Sequence, residues 1–169
     1  MKKTIAIVSF AVIAAACHPA PEPEPVSTFS LTQLAAQKPG DLGADFVNVE
    51  GYPEQQQTNY RVFRLVCAQC HTLARPINSR VVKRDDWDRL MRRMHGKTVV
   101  YGWWTDFAAS DAKRILDFLE YDSKVRKIER AGEFNKTVEE LDALFVEVQA
   151  ERKRFRAAQD RKTAAAREQ

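Results

Sequence analysis

The sequence predicts an all-α protein, and three observations carry that expectation. Residues of the central region recur at three- and four-residue steps: Tyr60, Phe63, Val66, Cys67 and Cys70; then Trp87, Leu90, Met91 and Met94; then Ile115, Leu116, Phe118, Leu119 and Tyr121. Residues at those steps share one face of a helix. The tail from Thr137 is heavily charged yet keeps one apolar stripe, Val138, Leu141, Leu144, Phe145, Val148 and Phe155, as an amphipathic helix does. No stretch reads as a succession of alternating strands.

The N-terminus reads as an export signal over residues 1–16. Lys2 and Lys3 precede an almost unbroken apolar run from Ile5 to Ala16. The run is short of the roughly 20 apolar residues that span a bilayer, and a basic start with a small-residue end marks secretion. Ala14-Ala15-Ala16-Cys17 resembles a bacterial lipoprotein processing site, although leucine is commoner where Ala14 stands; the alanines also suit ordinary cleavage after Ala16. The chain has three cysteines, two of them in the motif below, and lipid on Cys17 would remove the odd exposed thiol from an oxidising compartment. Loss of residues 1–16 removes Lys2 and Lys3 and no acid, so the formal charge falls from +4 to +2. Nothing in that balance calls for nucleic acid.

Residues 17–58 are expected to form a tether and a covering loop. The alternating prolines of residues 18–25 favour extended backbone, and His18 within them is read as solvated. A short helix over Leu31–Ala36 is expected, started by Ser30 or Thr32, before Pro39-Gly40 and Gly43 break the chain. The core domain is expected over residues 59–130. Its first helix should run from Asn59 to Leu73 and stop at Arg75-Pro76. A second should start at Asp85 or Asp86 and end at His95-Gly96. An aromatic loop with Trp103, Trp104 and Phe107 follows, and Ser110 should cap the third helix. Residues 131–169 form the charged helical tail. Its stripe over 137–155 serves either folding back on the domain or docking with a partner or a second copy.

The chemistry is concentrated in Cys67-Ala68-Gln69-Cys70-His71. Two thiols three residues apart lie about 300° apart around a helix, close to one turn. They suit thioether bonds to both vinyl groups on one porphyrin edge, and His71 follows directly to ligate the iron; this is the pattern of c-type haem attachment. Zinc would need two further ligands at comparable spacing, and no second cysteine pair exists. A thioredoxin-like pair would need a preceding strand and a βαβ pattern. A structural disulfide is the remaining alternative. The other axial ligand is sought among Met91, Met94 and His95, all on the second helix.

Residues 60–121 resemble small single-haem bacterial cytochrome c domains. Such domains carry the haem motif, then a helix with Met seven positions after Trp, then a closing helix. Trp87 and Met94 stand at that spacing, and Ile115-Leu116-Asp117-Phe118-Leu119-Glu120-Tyr121 is similar to the closing helix. The resemblance implies a cytochrome c-like helical fold around one haem c, His71 and Met94 as axial ligands, and electron transfer without enzymatic turnover. The paired tryptophans and the tail beyond Tyr121 depart from the pattern. A thioether ligand favours ferrous iron and raises the potential; His95 would lower it.

Between Arg75 and Lys97 the bases Arg75, Arg80, Lys83, Arg84, Arg89, Arg92, Arg93 and Lys97 outnumber the acids Asp85, Asp86 and Asp88 by five. An acidic redox partner is the expected reader of that string; a solvated helix face is the alternative. Trp103, Trp104 and Phe107 are expected to cover the haem. The sequence thus implies a periplasmic electron carrier held to a membrane by Cys17. The absence of Asp after Cys17 points to the outer membrane, by resemblance to sorted lipoproteins. A haem subunit of a periplasmic oxidoreductase, and a haem-based sensor or peroxidase, are the competing classes.

Overall fold

The computed structural model describes residues 27–101 and 108–167. The export signal, Cys17, His18, Trp103, Trp104 and Phe107 lie outside the described residues. The described chain is all-helical and holds no strand. Its elements are α1 (Leu31–Ala35), a 3-10 turn (Pro39–Leu42), α2 (Glu54–Cys67), α3 (Ala74–Ile77), α4 (Arg84–Tyr101), α5 (Ala109–Asp122), a π-helical turn (Ser123–Glu129) and α6 (Ala131–Arg167).

α1 forms because Ser30 and Gln33 close a capping box. The Gln33 amide donates to Ser30 Oγ at 3.2 Å, and the Ser30 amide donates to Gln33 Oε1 at 3.0 Å. Such a cap is worth about 1 kcal/mol. Residues 36–53, expected as a covering loop, contain the 3-10 turn and several side-chain bonds. Asp41 accepts from the Gln37 and Lys38 amides at 2.8 and 3.0 Å, and from the Arg75 guanidinium at 2.7 Å through both carboxylate oxygens. Burial works to raise the Asp41 pKa, but these donors prevail and hold the carboxyl below its usual range. Gly43 has no side chain because there is no room: a Cβ there would lie 2.4 Å from Asn78 Nδ2 and 2.9 Å from Leu141 Cδ1. Asn78 uses that close approach to donate to the carbonyls of Gly40, Ala44 and Ala74.

The core is built on the α2–α5 pair. Phe63, Ile115 and Phe118 are fully buried. The Phe63 and Tyr60 rings lie 5.1 and 5.0 Å from Phe118, and Tyr52 meets Tyr121 edge-on at 5.0 Å. Offset aromatic contacts of this kind add about 0.5–1.5 kcal/mol each beyond area burial. Two upstream residues are locked to this pair: the Val47 amide donates to Tyr60 Oη at 2.9 Å, and Tyr52 Oη donates to Asp122 at 3.1 Å. α4 closes the other side of α5 through Trp87 and Met91. The Trp87 indole donates to Ser123 Oγ at 3.2 Å.

Three helices, α2, α4 and α5, have boundaries that differ from the sequence expectation. α2 begins five residues earlier than Asn59 and ends at Cys67 rather than Leu73. Its end has a local cause: Gln69 Nε2 donates to the Leu65 carbonyl at 3.2 Å, the acceptor that the residue 69 amide would use in a continuing helix. Arg75-Pro76 falls inside α3. α4 runs through Gly96 to Tyr101, since one helical Gly costs only about 1 kcal/mol. α5 starts at Ala109 with Ala108 at its cap, so Ser110 lies in the first turn.

α6 folds back on its own chain. Phe134, Val138, Leu141 and Val148 are buried, and α6 packs on the 3-10 turn, the π-helical turn and α1. Arg152 donates to the Leu34 and Ala36 carbonyls at the end of α1. Beyond Phe155 nearly every described residue is exposed.

Candidate functional site

Cys67 is the last residue of α2, and Cys70 stands exposed in the turn that follows. Both thiols are free. The spacing argument therefore applies to a helix end and a turn rather than to one continuous helix. Cys67 packs against the core cluster that contains Phe63 and Met91. Burial, and secondarily Cys70, pushes its thiol pKa up to about 12, so it stays protonated and a poor nucleophile at neutral pH. His71 is half-buried, with Nδ1 2.8 Å from the Thr72 carbonyl. In the tautomer that donates from Nδ1, Nε2 keeps its lone pair for a metal, the usual way an outer hydrogen bond orients a ligating imidazole.

The three candidates for the second axial position are separated by exposure. Met91 is buried beside Trp87. Met94, one turn on, is 38% exposed, and His95 is exposed. Because α4 continues past Gly96, His95 sits inside the helix rather than at its end. Cys67 and Met91 belong to one cluster, whereas His71 faces a different place. It lines an open groove of about 730 Å³ with Asp45, Phe46, Arg61, Arg64 and Leu65. Neither cysteine and none of the α4 candidates lines that groove. Among the described residues no three His, Cys, Asp or Glu side chains gather as a metal-ion group. The donor types are those that would hold a group bringing its own equatorial ligands, but the structure does not gather them: Cys67 packs on the core, Cys70 is exposed and His71 lines the groove.

The basic string is largely neutralised in space. Arg75 pairs with Asp41 at 2.7 Å, Arg80 with Asp142 at 2.7 Å, and Arg84 with Asp117 and Glu120 at 2.9 and 2.7 Å. Arg89 pairs with Asp86, and Arg92 with Asp88 at 2.7 Å. Lys83, Arg93 and Lys97 remain exposed. The partners Asp41, Asp142, Asp117 and Glu120 lie far from the string in sequence, so the local excess of charge did not reveal them. Sequence reasoning also missed the groove. Its α2 wall, Arg61, Arg64, Leu65 and Ala68, is the stripe at three- and four-residue steps opposite the core stripe, and that signal was present.

No family model matches this chain, and neither a curated protein nor a solved structure does.

Proposed function

We propose that this chain is an exported electron carrier in which Cys67 and Cys70 would hold one haem c, and His71 and Met94 would ligate its iron. The observation that carries the reading is Cys67-Ala68-Gln69-Cys70-His71 at the end of a core-packed helix, with both thiols free and the His71 Nδ1 tied to the Thr72 carbonyl. Such a haem, when bound, accepts and releases one electron at its iron. The chain supplies position and environment. Cys67 and Cys70 fasten one porphyrin edge, so a small core suffices to retain it. His71 presents Nε2 in a fixed orientation. Tyr60, Phe63 and Phe118 keep water from the helix pair behind the motif. Met94 is preferred to Met91 because the core already engages Met91, and to His95 by the Trp87 spacing. Its thioether favours the reduced state.

Export over residues 1–16 and lipid on Cys17 belong to the same reading, which places the carrier in the periplasm on the outer membrane. The role of haem subunit in a larger oxidoreductase is the second reading; the exposed helical turns of α6 beyond Phe155 favour it as a docking element. The test is the mass and optical spectrum of mature protein from a host competent for cytochrome maturation. The expected mass is that of the polypeptide plus one haem, with no reactive thiol at Cys67 or Cys70. A bare polypeptide mass ends the proposal.

A further inference from the structure

The outer face of α2 is built differently from the rest of the basic surface. Arg61, Arg64 and Leu65 stand three and four residues apart and so share a face, turned away from the face of Tyr60, Phe63 and Cys67. Across the groove lies Phe46, brought there because the adjoining Val47 amide is bonded to Tyr60 Oη. Phe46 is 65% and Leu65 72% exposed, an apolar pair without cover. Around them are Arg61, Arg64, His71 and a single acid, Asp45. Among the described residues neither Arg61 nor Arg64 forms an ion pair, although Arg64 lies over the Tyr60 ring at 5.8 Å. Arg75, Arg80, Arg84, Arg89 and Arg92 are all paired with carboxylates. Lys83, Arg93 and Lys97 are exposed as well, but Arg61 and Arg64 line the same groove as the exposed Phe46 and Leu65, so the α2 face offers an acidic surface both charge and an apolar contact.

We propose that an acidic redox partner protein docks on this α2 face, with its carboxylates on Arg61 and Arg64 and an apolar contact on Phe46 and Leu65, beside the iron ligand His71. The proposal rests on the haem reading above. A small apolar centre with a charged rim is the form of a transient redox encounter, which needs speed more than affinity. Asp45 lowers the net charge of the face and sets its orientation.

The test uses reduced holoprotein and two one-electron oxidants, anionic hexacyanoferrate(III) and cationic tris(phenanthroline)cobalt(III). In each case one electron leaves ferrous haem and the oxidant becomes hexacyanoferrate(II) or the cobalt(II) complex. At low ionic strength the Arg61→Gln/Arg64→Gln variant should react roughly threefold more slowly with the anion and faster with the cation. Polyglutamate should inhibit the anion reaction of the native protein and spare that variant. Arg89→Gln/Arg92→Gln, which removes the same formal charge, should change either rate by less than about twofold. Arg61→Lys/Arg64→Lys should restore most of the anion rate. Equal effects in both Gln pairs, or slowing with both oxidants, overturn the assignment. So does a concentration-dependent dimer that Phe46→Ser abolishes, which would give the face to a second copy. Failure of the haem reading is seen separately, in the mass of the native protein before any kinetics.

Discussion

Met91 and Met94 stand one turn apart on α4, and the core has claimed only one of them. Met91 is buried with Trp87, whereas Met94 keeps 38% of its surface open. On the haem proposal, Met94→Ala should change the axial spectrum and lower the midpoint potential while leaving the unfolding midpoint nearly unchanged. Met91→Ala should do the reverse, costing about 2–5 kcal/mol of stability with the spectrum intact. Paired optical and urea-unfolding measurements on the two variants separate these outcomes, and an unaltered Met94→Ala spectrum removes that ligand from consideration. Lys127 poses a different question. Its ammonium is buried in the π-helical turn, donates to the Pro76 and Val81 carbonyls at 3.4 and 3.1 Å, and lies 4.9 Å from the centre of the Trp87 ring. Burial, aided by Arg126 and opposed by Asp122, pushes its pKa down to about 7. Between there and the ordinary value of 10.5 the unfolded chain binds more protons than the folded one, so the contribution of Lys127 to stability rises with pH across that window. Below it both states are protonated and the burial penalty is fully present. Lys127→Met removes the titration. The stability of the native protein relative to Lys127→Met should climb between pH 7 and 10, by a few kcal/mol at the upper limit; parallel unfolding curves at pH 6, 8 and 10 check this, and a flat difference refutes it.

At the scale of elements, the sequence shows which faces are apolar more clearly than where helices stop. The stripes of α2, α4 and α5 were legible because period and burial coincide in Tyr60, Phe63, Trp87, Met91, Ile115 and Phe118. The first turn of α2 was not, since Glu54-Gln55-Gln56-Gln57-Thr58 carries no apolar mark; good intrinsic helix formers after Pro53 supply the turn instead. The end of α2 turns on one side-chain bond from Gln69, and α4 passes Gly96 because a single Gly is a weak stop. The Cys67-Ala68-Gln69-Cys70-His71 motif, from which the haem proposal is drawn, is visible whole as five adjacent residues. The groove beside it is not, because Phe46 reaches α2 through the Val47–Tyr60 bond between distant positions. The stripe of α6 was read correctly, but its use needed the fold: Phe134, Val138, Leu141 and Val148 cover the chain's own turns. Truncation after Phe155 should leave the thermal midpoint nearly unchanged. Truncation after Ala131 strips four buried apolar side chains, each worth about 1.5–3 kcal/mol, and should lower the midpoint steeply or prevent folding. Calorimetry of the two truncations checks this, and equal losses would show the exposed turns to be structural.

For the whole molecule, attachment to a membrane has few possible sources. No helix among the described residues is long and apolar enough to cross a bilayer. The buried apolar stripe of α6 is spent on the protein's own surface. Residues 17–169 carry a formal charge of only +2, so their net attraction to anionic headgroups is weak. Under the proposed reading the load falls on a lipid at Cys17. Acyl chains contribute about 0.8 kcal/mol per buried CH₂, and one chain alone binds marginally; a multiply acylated cysteine clears that limit. In a bacterial host the native chain should partition into the detergent phase. Cys17→Ser should move it to the aqueous phase with its haem spectrum and unfolding midpoint unchanged, because Cys17 lies far in sequence from the helices that build the site. Detergent partitioning of both forms, read by haem absorbance, measures the shift. A Cys17→Ser protein still held in the detergent phase would place the anchor elsewhere in the chain.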